Sequence, residues 1–354
     1  MAQEKSVDRY TCGMAGRPTL KDVAAKAGVS QGMAGRVLGN YGSFSKATQR
    51  KVRAAARAVH YSPNVIAKAL KTRHTKTAGV LISDITASFW TSMVRGIQDR
   101  AAKDGYSVIV CNSDEISHNE KASLATLVER SIDGLIISPT LGNHAYLKKL
   151  SRGGTPLVLV DRKVAGVVSP SIRVDNRAGA REAVSYLADL GHRRIAIIRG
   201  LEGVETNDER YAGYVEALTA RHIDVLPSLV KNARFLQEKS FEVTQELLKM
   251  RSRPTAIFVC NEIMASGCIR ALKEARVRIP HDMSLITFDD TVWAEYLNPP
   301  ITCVSQPSYA MGMLAFDYLL SQILGRTREA KPLDDVILKT TLVIRGSCER
   351  VNSA

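Results

Sequence analysis

Polar and charged residues follow one short apolar run after another along most of this chain: Asp84, Asn112, Ser138, Asp161-Arg162, Asn261-Glu262, Asp289-Asp290 and Gln306. Singly, each is at home as a helix cap or turn residue. Their shared placement after successive runs points to a pocket, because ligands of open α/β sheets bind outside the carboxyl ends of the strands. Phe89-Trp90, just after the first run, and Phe235, in a polar stretch, offer aromatic faces for a ring-shaped ligand, or else fill a core.

A second chemistry is written in the charge. Residues 1–76 hold 15 Lys and Arg against 3 Asp and Glu, a net +12, whereas the other 278 residues hold 34 against 32. Charge alone is compatible with a solvated basic face. An excess packed into one small segment is also the footprint of a polyanion partner, and the pattern inside the segment favours that.

Other chemistries lack their signatures. There is no P-loop, no G-x-G-x-x-G after a strand, no G-x-S-x-G and no H-E-x-x-H, so nothing favours an enzyme. The six cysteines (Cys12, Cys111, Cys260, Cys268, Cys303, Cys348) form no C-x-x-C pair, and the seven histidines are dispersed. No metal or cofactor is expected, and reduced cytosolic thiols fit better than disulfides. Apolar runs such as Gly134–Ile137 and Pro156–Val160 are strand-sized, far short of a bilayer span. Met1-Ala2-Gln3-Glu4-Lys5 has no apolar export segment, so a cytoplasmic protein without a membrane partner is expected.

The elements that must position these residues follow from periodicity. Residues 1–15 show none and read as a flexible tail. A first helix spans Leu20–Ala27, with Thr19 as N-cap and Asp22 in its first turn. Gly28-Val29-Ser30 makes a tight turn into a second helix, Gln31–Leu38. Gly39-Asn40-Tyr41-Gly42 breaks the chain before a strongly basic third helix from Ser45 to Val59, and this layout is that of a helix-turn-helix. Val65–Leu70 is long enough for one or two conditional helical turns. Strands are expected at Thr77–Ile82, Ser107–Cys111, Gly134–Ser138, Pro156–Val160, Ile195–Ile198, Ala256–Val259, Ser284–Phe288 and Thr302–Val304. Helical stretches alternate with them, giving two series of βαβ units and hence two parallel-sheet lobes.

With these features in place, the sequence closely resembles the LacI/GalR family of bacterial transcription regulators from Pro18 to Cys348. The most specific match is Thr19-Leu20-Lys21-Asp22-Val23-Ala24-Ala25-Lys26-Ala27-Gly28-Val29-Ser30, continued by Arg36-Val37-Leu38. Tyr61-Ser62-Pro63-Asn64 and Ala67-Lys68-Ala69-Leu70 follow. In the core, Ile132-Asp133-Gly134-Leu135-Ile136, Val160-Asp161-Arg162, Leu190-Gly191-His192-Arg193-Arg194-Ile195, Arg210-Tyr211-Ala212-Gly213-Tyr214, Phe288-Asp289 and Gln306-Pro307 stand where members carry similar strings.

The resemblance implies an all-α headpiece and an α/β core of two doubly wound lobes, like a type I periplasmic sugar-binding protein with three crossovers. It implies domains at 16–62 (DNA-binding), 63–76 (hinge helix and linker) and 77–354 (effector-binding and dimerisation). The N-lobe would take about 77–174 and 307–333, the C-lobe about 175–306 and 334–354. A homodimer would read a pseudo-palindromic double-stranded operator through Thr19, Ser30, Gln31, Gly32, Arg36, Asn64, Lys68 and Leu70. Gln31 and Arg36 suit adenine and guanine, Arg36 equally suits a phosphate, and Leu70 matches the hinge leucine that wedges into the minor groove.

The effector set it implies is Phe89, Trp90, Asp161, Arg162, Arg210, Phe235, Asn261, Asp289 and Gln306, chemistry that suits a sugar-like ligand. This chain departs from the family in three places. Met33-Ala34-Gly35 replaces a Thr-Val-Ser run, and Gly32 and Gly35 each weaken a helix by roughly 1 kcal/mol relative to Ala. Ala87-Ser88-Phe89-Trp90 stands where sugar-binding members often have Asn-Pro-Phe-Phe, and Glu262 replaces the usual Asp. The leading expectation is thus an effector-controlled transcription regulator, most often a repressor. The alternatives are a periplasmic-type sugar-binding transport protein and a cytosolic sugar-modifying enzyme.

Overall fold

The computed structural model describes residues 18–61, 74–325 and 334–351. The chain divides into two compact units, Met1–Thr75 and Lys76–Ala354. The expected tail, the hinge turns Val65–Leu70, and Asn64, Lys68 and Leu70 lie outside the described residues.

In the first unit, α1 (Leu20–Ala27) begins where the Asp22 carboxylate accepts hydrogen bonds from the Thr19 amide at 2.7 Å and hydroxyl at 2.8 Å. The same two bonds hold the Asp22 carboxyl below the usual carboxylate range. Gly28, at φ 61°, ends the helix in a left-handed turn that an L side chain would strain. Ser30 Oγ then accepts from the Met33 amide to open α2 (Gln31–Gly39), and Ser45 Oγ accepts from Thr48 to open α3 (Lys46–Ala58). The three helices close on a small core in which Val23, Ala34, Val37 and Val52 are fully buried. Alanines at Ala24, Ala27, Ala55 and Ala56 complete it.

The second unit holds two six-stranded sheets. The first contains β1 (Thr77–Ile82), β2 (Ser107–Asn112), β3 (Gly134–Ile137), β4 (Leu157–Val160), β5 (Ser171–Val174) and β11 (Val336–Leu338), in the order β11-β5-β4-β3-β1-β2. The second contains β6 (Ile195–Arg199), β7 (Val230–Asn232), β8 (Ala256–Val259), β9 (Ser284–Phe288), β10 (Thr302–Ser305) and β12 (Thr341–Val343), in the order β12-β10-β9-β8-β6-β7. Every described pairing is parallel except β10 with β12. Both sheets therefore run their first five strands in the same doubly wound order. Each reverses direction beside its first strand, where a crevice opens at the carboxyl ends.

Helices α4 (Ser88–Lys103), α5 (Ser117–Glu129), α6 (His144–Arg152) and α11 (Ser308–Ile323) belong with the first sheet. Helices α7 (Asn176–Asp189), α8 (Glu205–Thr219), α9 (Gln237–Lys249) and α10 (Glu262–Glu274) belong with the second. Covered on both faces, strands such as β3, β4, β8 and β9 are buried at every position, which is why they read as unbroken apolar runs.

The chain passes between lobes three times: from β5 to α7, from β10 to α11, and from β11 to β12. The third passage falls after Leu338, a few residues beyond the 333/334 boundary expected from sequence. The reason is local: Val336–Leu338 pairs with β5, and the Asp335 carboxylate accepts from the Ser171 amide at 3.0 Å and hydroxyl at 2.9 Å. Four strands of three or four residues, β5, β7, β11 and β12, were not expected from the sequence, because such short spans carry too little alternation to register.

Candidate functional site

The carboxyl ends of both sheets converge on a cavity of about 200 Å³. Phe89, Trp90, Asp161, Arg162, Arg210, Phe235, Asn261, Asp289 and Gln306 all line it. Ser83, Asp84, Asp114, Glu115, Thr206, Arg234, Leu236, Glu262 and Ile263 share its wall but were outside the expected set. Two of these, Asp84 and Glu262, stood among the strand-end polar residues.

Backbone geometry aims several of these side chains. Asp114, Glu115, Asp161, Arg234, Phe235 and Asp289 all adopt positive φ, between 53° and 79°, although none is glycine. Such conformations cost on the order of 1–3 kcal/mol each and gather where the fold around them over-determines a site. Phe235 is further accommodated by Gly200 after β6, where a Cβ would lie 2.0 Å from the Phe235 ring. The Phe89 and Trp90 rings meet edge to face with centroids 4.7 Å apart at the start of α4.

Five ionisable side chains on the wall are nearly removed from water: Asp161, Arg162, Arg210, Glu262 and Asp289, all at 4–7 % exposure. Arg162 makes a paired contact with Glu115 at 2.5 and 2.7 Å, reaches Asp161 at 3.2 Å and donates to the Pro139 carbonyl. Arg210 donates to Asn176 Oδ1 at 2.8 Å and to the Cys260 carbonyl, with its guanidinium 3.7 Å from the centre of the Phe288 ring. Gln306 donates to Asp289, and Asn261 Oδ1 accepts from the Met264 amide at 2.8 Å as the cap of α10.

Glu262 spans the two lobes: its Oε1 accepts from the Phe89 amide at 3.2 Å, at the start of α4 in the first lobe. Burial, reinforced by the charge of Asp289, pushes the Glu262 carboxyl up to about 7. Burial likewise pushes Asp161 up to about 6 against the pull of Arg162 and Arg210, and raises Asp289. Burial works against the Arg162 charge, yet Glu115 and Asp161 hold it firmly protonated. The cavity can therefore grip polar groups strongly. Arg162, Glu115 and Asp161 are engaged with one another, Arg210, Glu262 and Asp289 are held by amides and carbonyls, and no nucleophile–base pair stands among them.

On the first unit, Thr19, Ser30, Gln31, Gly32 and Arg36 are all exposed, at the start of α1 and along α2. The capping of Thr19 and Ser30 spends part of their hydrogen-bonding capacity. Lys46, Arg50, Lys51, Arg53 and Arg57 of α3 are exposed as well, with no acidic residue in that helix. Among the described residues no helix is long and apolar enough to cross a membrane.

Comparison with known proteins places both units. Residues 19–64 match the family model described as bacterial regulatory proteins, lacI family, and residues 184–348 match a periplasmic binding protein-like domain. EndR of Paenibacillus polymyxa, named as a probable HTH-type transcriptional regulator, is 34% identical over 323 residues, 90% of this chain and 94% of its own. Among solved structures, the lac repressor dimer bound to operator and the anti-inducer ONPF aligns with a TM-score of 0.83 at 28% identity. That alignment covers 94% of this chain and 100% of the other. A LacI family transcriptional regulator from Enterococcus faecium with bound ribose aligns with a TM-score of 0.69 at 30% identity, over 78% of this chain and 100% of the other. A helix-turn-helix unit with an exposed basic face and a two-lobed core with a strand-end cavity thus have one common explanation: the chain belongs to the LacI family, and is a DNA-binding transcription regulator with an effector-binding core, not an enzyme.

Proposed function

We propose that this protein is a cytoplasmic repressor that binds a pseudo-palindromic operator as a homodimer and changes its grip on DNA when a small, hydroxyl-bearing, sugar-like effector fills the cavity. The observation that carries this reading is the convergence of nine expected residues, drawn from both lobes, on one cavity. A ligand clasped by Asp161 and Arg162 on one side and by Asn261, Asp289 and Gln306 on the other favours a closed arrangement of the lobes. Such differential contact between two states is what allostery requires.

In the head, Gln31 and Arg36 are the side chains proposed to touch base edges, with Thr19, Ser30 and Gly32 beside the phosphates. Asn64, Lys68 and Leu70 are proposed to extend the contact into the minor groove from the segment at 63–76. The domain plan of a 16–62 head, that connecting segment and a core from 77 belongs to the same proposal. The lac repressor dimer on its operator and the ribose-bound E. faecium regulator support it by likeness of fold.

Selection of bound duplexes from a random pool by the full-length protein tests this reading. An enriched inverted repeat, lost on Gln31→Ala or Arg36→Ala, is the expected result. Enrichment of a single asymmetric site would overturn the dimer, and sugars and nucleosides that leave the selected complex unchanged would overturn the effector class.

A further inference from the structure

Beside the cavity, a cluster of charged side chains ties the two lobes together. Glu205 opens α8 in the second lobe. Both of its carboxylate oxygens accept from the first lobe: Oε1 from the Arg173 guanidinium at 2.8 Å, and Oε2 from the Lys163 amide at 2.5 Å. The residues that supply these donors are braced on one carboxylate. Asp335 pairs with the Lys163 ammonium group, accepts from the Ser171 amide and hydroxyl, and lies 3.9 Å from Arg173. The Ser171 hydroxyl oxygen also accepts from Arg173 Nε at 3.0 Å. Ser171 and Arg173 belong to β5, and Asp335 directly precedes β11. These are the strands that lead into the first and third passages between the lobes.

A lone ion pair on the surface contributes little, because two long side chains must be ordered in a strongly screening solvent. The Arg173–Glu205 bridge differs on both counts. Its side chains are only 13 and 28 % exposed, and the bonds to Ser171 and to the Lys163 amide already order them. The bridge also flanks the cavity in each lobe. Lys163 follows Arg162 and Glu205 precedes Thr206, and both neighbours stand on the cavity wall.

We propose that Glu205, Arg173 and Lys163 form a latch by which the chain's own bonds bias the lobes towards closure. This goes beyond the effector reading above and does not depend on which effector the cavity takes. When a ligand binds one of two states, its apparent affinity falls with the fraction of molecules in that state. The latch therefore determines how much of the effector's binding energy is spent on moving the lobes. The bond from Glu262 to the Phe89 amide is a second link across the same cleft, and Trp90 is the next residue along.

Trp90, 6 % exposed on the cavity wall, can report on the cleft once Trp293, the chain's other tryptophan, is replaced by Phe. Acrylamide quenching of the full-length Trp293→Phe protein, with no ligand added, tests the latch. In that background Glu205→Ala or Arg173→Ala should raise the quenching constant at least about twofold. The double replacement should add nothing beyond either alone, since both remove one bridge. Arg270→Ala, which breaks an ion pair with Glu238 inside the second lobe, should leave the constant unchanged. Circular dichroism identifies the folded variants, and Glu205→Gln and Arg173→Gln stand in for any that fails to fold. Quenching unchanged by both single replacements, rises that add in the double variant, or an equal rise in Arg270→Ala would overturn the latch. Because no ligand is used, those outcomes leave the effector pocket standing.

Discussion

Glu262 carries the strongest consequence of any single side chain. Its carboxyl ordinarily titrates near 4.5 and is pushed up to about 7 by burial and by Asp289. Below about pH 4.5 folded and unfolded chains are both protonated there and the group is neutral to stability. Between about 4.5 and 7 the folded chain keeps a proton that the unfolded chain has lost, so stability falls as pH rises, and above 7 the full cost is present. Asp161 adds a similar fall between 3.8 and about 6. His192 opposes both: burial lowers its affinity for a proton, so its contribution rises with pH through 6.5. Comparing wild type with Glu262→Gln isolates the first effect. The variant should be more stable at about pH 8 by on the order of 2 kcal/mol and nearly equal at about pH 4 in chemical denaturation; parallel curves would mean that Glu262 bears no buried charge. At this scale much is legible in the sequence, since the strand-end rule alone picks out Asp161, Asn261, Asp289 and Gln306. Glu115 and Arg234 were not legible. They reach the cavity by left-handed backbone turns that leave no periodic trace in the sequence.

Helices in this protein meet in two contrasting ways, and glycine marks both. In α2, a Cβ at Gly32 would meet nothing within 4 Å, and one at Gly35 would lie 3.4 Å from Leu20, an ordinary contact. These glycines only loosen the helix. In the core, α4 and α11 cross through a reciprocal pair: a Cβ at Gly96 would lie 2.1 Å from the Tyr309 carbonyl oxygen, and one at Gly312 would lie 2.0 Å from that of Met93. Gly213 against Arg177 and Gly267 against Gln237 repeat the device at α7–α8 and α9–α10. Gly32→Ala should therefore stabilise the head by about 1 kcal/mol, while Gly312→Ala should destabilise the core by about 2–3 kcal/mol. Hydrogen exchange of the full chain, read separately for α2 and for α11, distinguishes the two signs. Equal effects would show that backbone contact at α4–α11 does not constrain the crossing. Sequence periodicity indicated helices at α1, α2 and α3 but not these crossings, because a glycine packed against a carbonyl and a glycine facing solvent look alike in one sequence. The short strands β5, β7, β11 and β12 escaped for a similar reason, since their pairing partners rather than their residues define them.

Over the whole chain, two nearly neutral lobes of like topology accompany a small, strongly charged head. The repeated strand order was legible as a rhythm of apolar runs and helices, whereas the three lobe crossings came only with the family resemblance, since nothing in Asp175, Gln306 or Lys339 announces a change of sheet. The charge asymmetry, by contrast, was plain from composition, and it makes a quantitative demand. A protein that neutralises phosphates releases condensed counterions, so its affinity for duplex DNA falls with salt at a slope of about −0.9 per phosphate contacted. The exposed row Arg50, Lys51, Arg53 on α3 carries charge that no acidic residue of that helix offsets. Replacing all three by Ala should weaken binding to any duplex sequence alike and flatten the slope by about 1–3. Lys239→Ala, on a half-exposed side chain of the core already paired with Glu242, should leave the slope unchanged. Fluorescence anisotropy of the full-length protein over a salt series reads both variants. A slope that responds to neither would place the basic face of α3 away from the phosphates and shift the work of binding onto α2 and the segment at 63–76.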